Sequence, residues 1–345
     1  MSEHKYSELA NKLREAIKNG VYLEGQKLPS ENELVKQTGY SRQTVRQAIG
    51  ILEHEGITNR IQGSGTYVRS SAPRRTPTHN IAVITTYIGE YIFPDILSGI
   101  DNVLAKNGYT SMLSATRNRV DNERKVLKDL LQKPIDGLIV EGTKTALPNP
   151  NIELYDQFER LGIPVVFING FYPDLKNPIY VVADDRKGGY MACEKLLKNG
   201  HRHIAGIFKS DDIQGHRRYA GYAEALRNAE LYVEDDHVMW YTTENRDSLL
   251  SSCTKQVLSD CTATVCYNDE VALQLIKQLQ EQNVFAPQSM EIVSFDNSTF
   301  AKLSAVPFTS LVNPKEKIGR VAAEKLLHIL KNQKEKSAVL PWSME

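Results

Sequence analysis

Residues 28–46 read Leu28-Pro29-Ser30-Glu31-Asn32-Glu33-Leu34-Val35-Lys36-Gln37-Thr38-Gly39-Tyr40-Ser41-Arg42-Gln43-Thr44-Val45-Arg46. Ser30 with Glu33 three residues on is a capping box: the hydroxyl satisfies a free backbone N–H and the carboxylate reaches back. The helix it opens is short and stops at Gly39. Ser41 caps a second helix that turns Val45, Ala48, Ile49 and Leu52 inward and ends at Glu55-Gly56. Two helices joined by a tight Gly-containing turn, the second with a basic start, make a helix-turn-helix. Upstream, Leu9, Leu13, Ala16 and Ile17 fall at helical spacing and end near Asn19-Gly20. Downstream, Ile57–Ile61 and Thr66–Val68 read as strands around Gln62-Gly63-Ser64-Gly65, a glycine-rich wing.

Arg42 and Arg46 are four residues apart and share a helix face opposite the apolar stripe, with Gln43 and Gln47 beside them. A helix entering a major groove offers such residues to base edges, Arg to guanine and Gln to adenine. Gly63 and Gly65 let the hairpin backbone approach a phosphate, with Gln62 at its tip. An isolated i,i+4 arginine pair is more often a solvated face. Here the capped short helix, the turn and the wing accompany it, and together they favour a nucleic-acid reader.

Charge supports a division of the chain. The 345 residues carry 42 Lys and Arg against 42 Asp and Glu, so the net charge is zero. Residues 1–79 nevertheless hold twelve Lys and Arg against eight Glu, and beyond residue 33 only Glu53 and Glu55 oppose the excess. Residues 70–79, with two prolines and no apolar periodicity, read as a linker. The expected domains are therefore residues 1–69, the linker 70–79 and residues 80–345. Hydrophobic residues make up 41% and no apolar run nears the roughly 20 residues of a membrane span, so a membrane partner is not expected. The polar start lacks a signal core, and the four cysteines form no CxxC pair. A cytoplasmic, nucleoid-associated protein without metal or cofactor is expected.

From residue 80, Val/Ile-rich strands alternate with amphipathic helices as far as Phe295. That pattern means parallel sheets covered on both faces, and its length means two lobes. The fold class expected is α/β: a winged helix-turn-helix followed by a two-lobed domain. Ligands of such sheets sit beyond the carboxyl ends of the strands. Candidates there are Tyr87, Tyr91, Phe93, Glu141, Lys144, Asn169, Asp184, Asp185, Lys209 to Arg218, Asn268, Asp269, Asp296 and Asn297. Carboxylates, amides and an Arg among aromatic rings suit a neutral polyhydroxyl ligand. Each Asp or Asn taken singly is better explained as a helix cap than as a ligand contact, and it is their recurrence after successive strands that favours a polar cleft. There is no Gly-x-Ser-x-Gly elbow, phosphate loop or His-Glu-x-x-His helix. His201 and His203 lack a third ligand, and Cys266 sits in an apolar run, so catalysis is not expected.

The Leu28–Leu34 run, Ser41–Arg46 and Gly63-Ser64-Gly65-Thr66-Tyr67-Val68 closely resemble the winged helix-turn-helix of the GntR regulator family. The resemblance covers residues 5–69. It implies that Lys5, Glu31, Arg42, Gln43, Arg46, Gln62, Gly63, Ser64, Gly65 and Thr66 meet operator DNA. Asn199–Ala205, Arg218–Tyr222, Tyr267-Asn268-Asp269 and Ser294-Phe295-Asp296 resemble the periplasmic-binding-protein-like effector domain of LacI-type repressors. The fusion of the two is similar to that of the arabinose-responsive repressors of Bacillus-type bacteria. This implies a homodimeric repressor released from DNA by L-arabinose, with Tyr91, Phe93, Glu141, Lys144, Asp184, Arg218, Asn268 and Asp296 around the sugar. The alternatives are another sugar effector, or a sugar-binding protein or enzyme whose N-terminal module binds protein. One departure is expected to matter. LacI-type sensors close the second lobe with a strand after Pro-x-Leu, ending in Arg-x-Ser. Here the chain ends Val339-Leu340-Pro341-Trp342-Ser343-Met344-Glu345, which implies a shortened or replaced final strand.

Overall fold

The computed structural model describes residues 5–23, 25–61, 64–68, 77–281 and 290–344. Gln62, Gly63 and linker positions 70–76 lie outside the described residues. In the N-terminal part, α1 (Lys5–Lys18), α2 (Glu31–Thr38) and α3 (Arg42–His54) precede an antiparallel hairpin of β1 (Thr58–Ile61) and β2 (Gly65–Val68). The capping box forms: Ser30 N–H donates to the Glu33 carboxylate at 2.7 Å and Glu33 N–H to the Ser30 hydroxyl at 3.3 Å. Gly39 ends α2 at φ +71°, a conformation glycine adopts without Cβ strain. Ser41 caps α3 by accepting from Thr44 N–H at 3.2 Å. Leu9, Leu13, Val45, Ala48, Ile49 and Leu52 of the expected stripes form one small core with Leu34, while Ala16 and Ile17 are only half-buried.

The large domain begins with β3 (Asn80–Thr85), α4 (Phe93–Lys106), β4 (Thr110–Ala115), α5 (Val120–Leu130), β5 (Gly137–Glu141), α6 (Ile152–Arg160), β6 (Val165–Ile168) and β7 (Ile179–Ala183). The chain then builds the second lobe: α7 (Asp185–Lys198), β8 (Ile204–Lys209), α8 (Ile213–Asn228), β9 (Val238–Tyr241), α9 (Arg246–Val257), β10 (Ala263–Cys266), α10 (Asp269–Glu281), β11 (Glu291–Asp296), α11 (Thr299–Leu303) and β12 (Thr309–Val312). It returns to the first lobe with α12 (Lys315–Leu330) and β13 (Ala338–Leu340). Among the described residues the sheets run β13-β7-β6-β5-β3-β4 and β12-β11-β10-β8-β9, with every neighbouring pair parallel. No helix among the described residues is long and apolar enough to cross a membrane.

The C-terminal end differs from expectation in where it lies. The last strand, three residues long, pairs with β7 in the first lobe, and β12 forms the edge of the second. Beyond it, Ser343 bridges back to Val312, so the chain passes between lobes a third time. Each sheet buries apolar residues on both sides, as parallel sheets require. In the first lobe α4 and α12 pack backbone to backbone. A Cβ on Gly319 would lie 2.0 Å from the Ile96 carbonyl oxygen, and one on Gly99 2.2 Å from that of Glu316.

Candidate nucleic-acid interface and ligand cleft

On the N-terminal part, Arg42 and Arg46 project from α3 with side chains 66% and 60% exposed. Both donate to Glu31, Arg42 from Nε at 3.4 Å and Arg46 from Nε and Nη2 at 3.3 and 3.2 Å. Arg60 of β1 reaches the same carboxylate at 3.5 Å. The Arg46 hydrogen bond holds the Glu31 carboxyl below its ordinary range, against a smaller opposing effect of burial. One anion thus gathers three cations, which leaves a positive fork on the exposed face of the helix. Gln43 and Lys5 stand exposed, and Ser64, whose hydroxyl meets that of Tyr67 at 2.7 Å, supports the described side of the wing.

In the large domain a cleft of about 200 Å³ opens beyond the carboxyl ends of strands from both lobes. Thr86 and Tyr87 follow β3, Asn118 follows β4, Glu141 closes β5 and Gly170 follows β6. Lys209 closes β8, Tyr267 and Asn268 follow β10, and Asp296 closes β11. Glu141 is buried and accepts from Thr86 N–H at 2.8 Å, the Thr86 hydroxyl at 2.6 Å and Asn169 Nδ2 at 2.8 Å. Burial pushes its carboxyl above the ordinary range despite these donors.

Arg218 is buried on α8, donating from Nε to Asp185 at 2.9 Å and from Nη1 to the Tyr267 carbonyl. Burial pushes the Asp185 carboxyl up to about 6, and the Arg218 charge only partly offsets it. Tyr91 sits at φ +59° and reaches across from the first lobe. Its hydroxyl donates to the Asp296 carboxylate and accepts from Asp269 N–H at 3.2 Å. Burial raises the phenol well above its ordinary range, with Asp296 and Asp269 adding to it. Asp296 is further fixed by Asn313 Nδ2 at 2.8 Å.

Residues 5–68 match the model of the gntR family of bacterial regulatory proteins, and residues 193–344 that of the periplasmic binding protein-like domain. An arabinose metabolism transcriptional repressor of Halalkalibacterium halodurans is 38% identical over 346 residues, 97% of this chain and 92% of that protein. One of Geobacillus stearothermophilus is 37% identical over 335 residues, 95% of this chain and 92% of that protein. The chain belongs to the family of arabinose metabolism transcriptional repressors. It is therefore a repressor and not an enzyme. The crystal structure of the transcription regulator CcpA of Lactococcus lactis is similar to it at a TM-score of 0.69 and 26% identity, covering 79% of this chain and 98% of that one.

In this repressor Tyr91, Phe93, Glu141, Arg218, Asn268 and Asp296 line one cleft. Lys144 and Asp184 stand outside that lining. Lys144 Nζ pairs with Glu244 of the second lobe at 2.5 Å, a lobe-to-lobe tie. Asp184 caps α7 by accepting from Lys187 N–H at 3.1 Å, the capping alternative that any Asp at a strand end carries. Asn268 combines both roles, since it lines the cleft and accepts from Val271 N–H at 3.0 Å. Sequence reading passed over Arg246 and Glu270, paired at 3.3 Å on the cleft wall, and Arg60 beside Glu31. Arg246 follows β9 and could have been found by the strand-end rule applied to Thr242–Arg246. Arg60 lies on β1, and nothing local in the sequence joins it to Glu31.

Proposed function

We propose that the protein is a homodimeric, cytoplasmic repressor that holds a near-palindromic operator and releases it when L-arabinose fills the cleft. Arg42, Gln43 and Arg46 would meet base edges, while Lys5 and the wing residues Gln62 to Thr66 would meet the backbone. Twofold operators read one turn apart call for a twofold protein. The observation that carries the ligand reading is the make-up of the cleft. Five carboxylates (Glu90, Glu141, Asp212, Glu270, Asp296) face three cations (Lys209, Arg218, Arg246) around Tyr87, Tyr91, Phe93 and Tyr267. That surplus of acceptors disfavours a phosphosugar and suits hydroxyls, with the rings covering C–H faces. The small volume favours a monosaccharide. Likeness to arabinose metabolism repressors supports arabinose among the monosaccharides.

The test is calorimetric titration of the full chain with L-arabinose, D-xylose, D-ribose and arabinose 5-phosphate, with gel shifts on the operator in parallel. L-Arabinose should bind most tightly and release the DNA. Absence of binding by L-arabinose, or tighter binding of the phosphate ester, would refute this reading.

A further inference from the structure

Arg218 is 1% exposed, and a guanidinium held out of water needs charge, hydrogen bonds and covering surface to keep one orientation. Asp185 and the Tyr267 carbonyl supply the first two. Three rings supply the third. The centroids of Phe295, Tyr267 and Trp342 lie 4.4, 4.7 and 5.0 Å from Arg218 Cζ, all within cation–π reach.

Tyr267 and Phe295 belong to the strand ends that form the second lobe. Trp342 arrives differently. It follows β13, which is bonded to β7 of the first lobe, and it is carried into the second lobe by the segment Pro341–Ser343. Ser343 and Val312 exchange backbone hydrogen bonds at 2.8 and 3.4 Å, which fixes the crossing. The indole packs edge-on against Phe295, 5.2 Å between centroids at 79°. It lies over Gly188, where a Cβ would come within 2.8 Å of Trp342 Cδ1. Trp342 is 5% exposed, yet its Nε1 has no hydrogen-bond partner among the described residues. A buried indole usually finds one. What the site uses is therefore the ring face and its area, not the polar edge.

We propose that Trp342 is a positioning residue for effector binding: it holds the Arg218 guanidinium toward the cleft and acts on the sugar only through it. The proposal rests on the reading that Arg218 contacts the effector. It also gives the C-terminal departure from the LacI-type pattern a role, since the final segment ties a first-lobe strand to the side chain that braces the second-lobe arginine.

The experiment titrates L-arabinose into the full-length protein and its Trp342→Leu, Trp342→Phe, Gly188→Ala and Arg218→Met variants, with sugar-free operator binding and melting temperature measured for each. Trp342→Leu should weaken L-arabinose binding by about tenfold. Trp342→Phe keeps a π face and should recover to within roughly threefold of the parent. Gly188→Ala retains the indole but displaces it, and should weaken sugar binding while sugar-free operator affinity stays unchanged. Normal sugar affinity in Trp342→Leu, or equal loss in the Phe and Leu variants, overturns the proposal. If Trp342→Leu does not fold, Gly188→Ala decides: a shifted melting temperature with unchanged sugar affinity would assign the indole to core packing alone. Normal binding by Arg218→Met would sink the underlying reading of the cleft. Loss in Arg218→Met with none in Trp342→Leu would sink only the role of Trp342.

Discussion

Arg46 is the residue at which the DNA-reading proposal is most exposed to test. It sits one helical turn after Arg42 and makes the strongest of the contacts that draw Glu31 down, so its fork is oriented before any DNA arrives. Arg46→Ala should weaken operator binding by about 1–3 kcal/mol, the worth of one bidentate base contact, and leave L-arabinose binding unchanged. A gel-shift titration beside calorimetry checks both halves. Asp185 offers a second residue-scale outcome, in pH. Its carboxyl is raised from an ordinary 3.8 to about 6, chiefly by burial, so its share of stability is full below about pH 4 and lost as pH rises through 6. Asparagine copies the neutral form. The difference in unfolding free energy between wild type and Asp185→Asn should therefore shift against the wild type by roughly 2 kcal/mol from pH 4 to 7, measured by urea titration. The arginine pair on α3 was legible because i,i+4 spacing fixes a shared face. Arg60 and Asp185 were not assigned their roles, since each acts through a partner far along the chain: Glu31 is 29 residues from Arg60, and Arg218 is 33 from Asp185.

At the scale of elements, period and caps carried most of the fold. The capping box, the Gly39 stop and the alternation of strands and helices up to β11 all stand where the sequence places them. Helix α12 and strand β13 were not read from pattern. Their membership of the first lobe is a long-range fact: α12 is held by contact with α4, more than two hundred residues earlier. That contact is testable. Gly319→Ala would thrust a methyl group onto the Ile96 carbonyl, where a Cβ comes within 2.0 Å of the oxygen. The helices must then separate, and overpacking of this kind costs about 1–3 kcal/mol. Urea unfolding should show that loss. Its absence would mean that α4 and α12 part without cost and that their close approach is not a determinant of the first lobe. The same reasoning explains why Lys144 and Asp184 were grouped with the cleft. Both lie at or just beyond a strand end, and only the fold shows that one side chain turns to Glu244 and the other to its own helix.

In the whole molecule, release of the operator by a sugar would require energetic linkage between the two sites. The lobes are joined by Tyr91 to Asp296, Asn118 Nδ2 to the Thr243 hydroxyl at 2.6 Å, Lys144 to Glu244 at 2.5 Å and Ile213 N–H to the Thr145 hydroxyl at 3.1 Å. These contacts form only when the two lobes meet, so they favour one lobe arrangement over any other. A ligand shifts that balance only by binding the arrangements unequally. If L-arabinose and operator prefer different arrangements, saturating sugar should weaken operator binding by about 5–150-fold, corresponding to roughly 1–3 kcal/mol of coupling. Saturating operator must then weaken L-arabinose binding by the same factor, because the four states form a closed cycle. Anisotropy of a labelled operator duplex with and without sugar gives one ratio, and calorimetry with and without operator gives the other. Arg218→Ala should bind operator normally in the absence of sugar and show no response to it. Unequal ratios would exclude a single linked equilibrium, and a variant still released by sugar would take Arg218 out of the linkage. The cycle thereby separates a repressor with one shared conformational balance from two domains that merely share a chain.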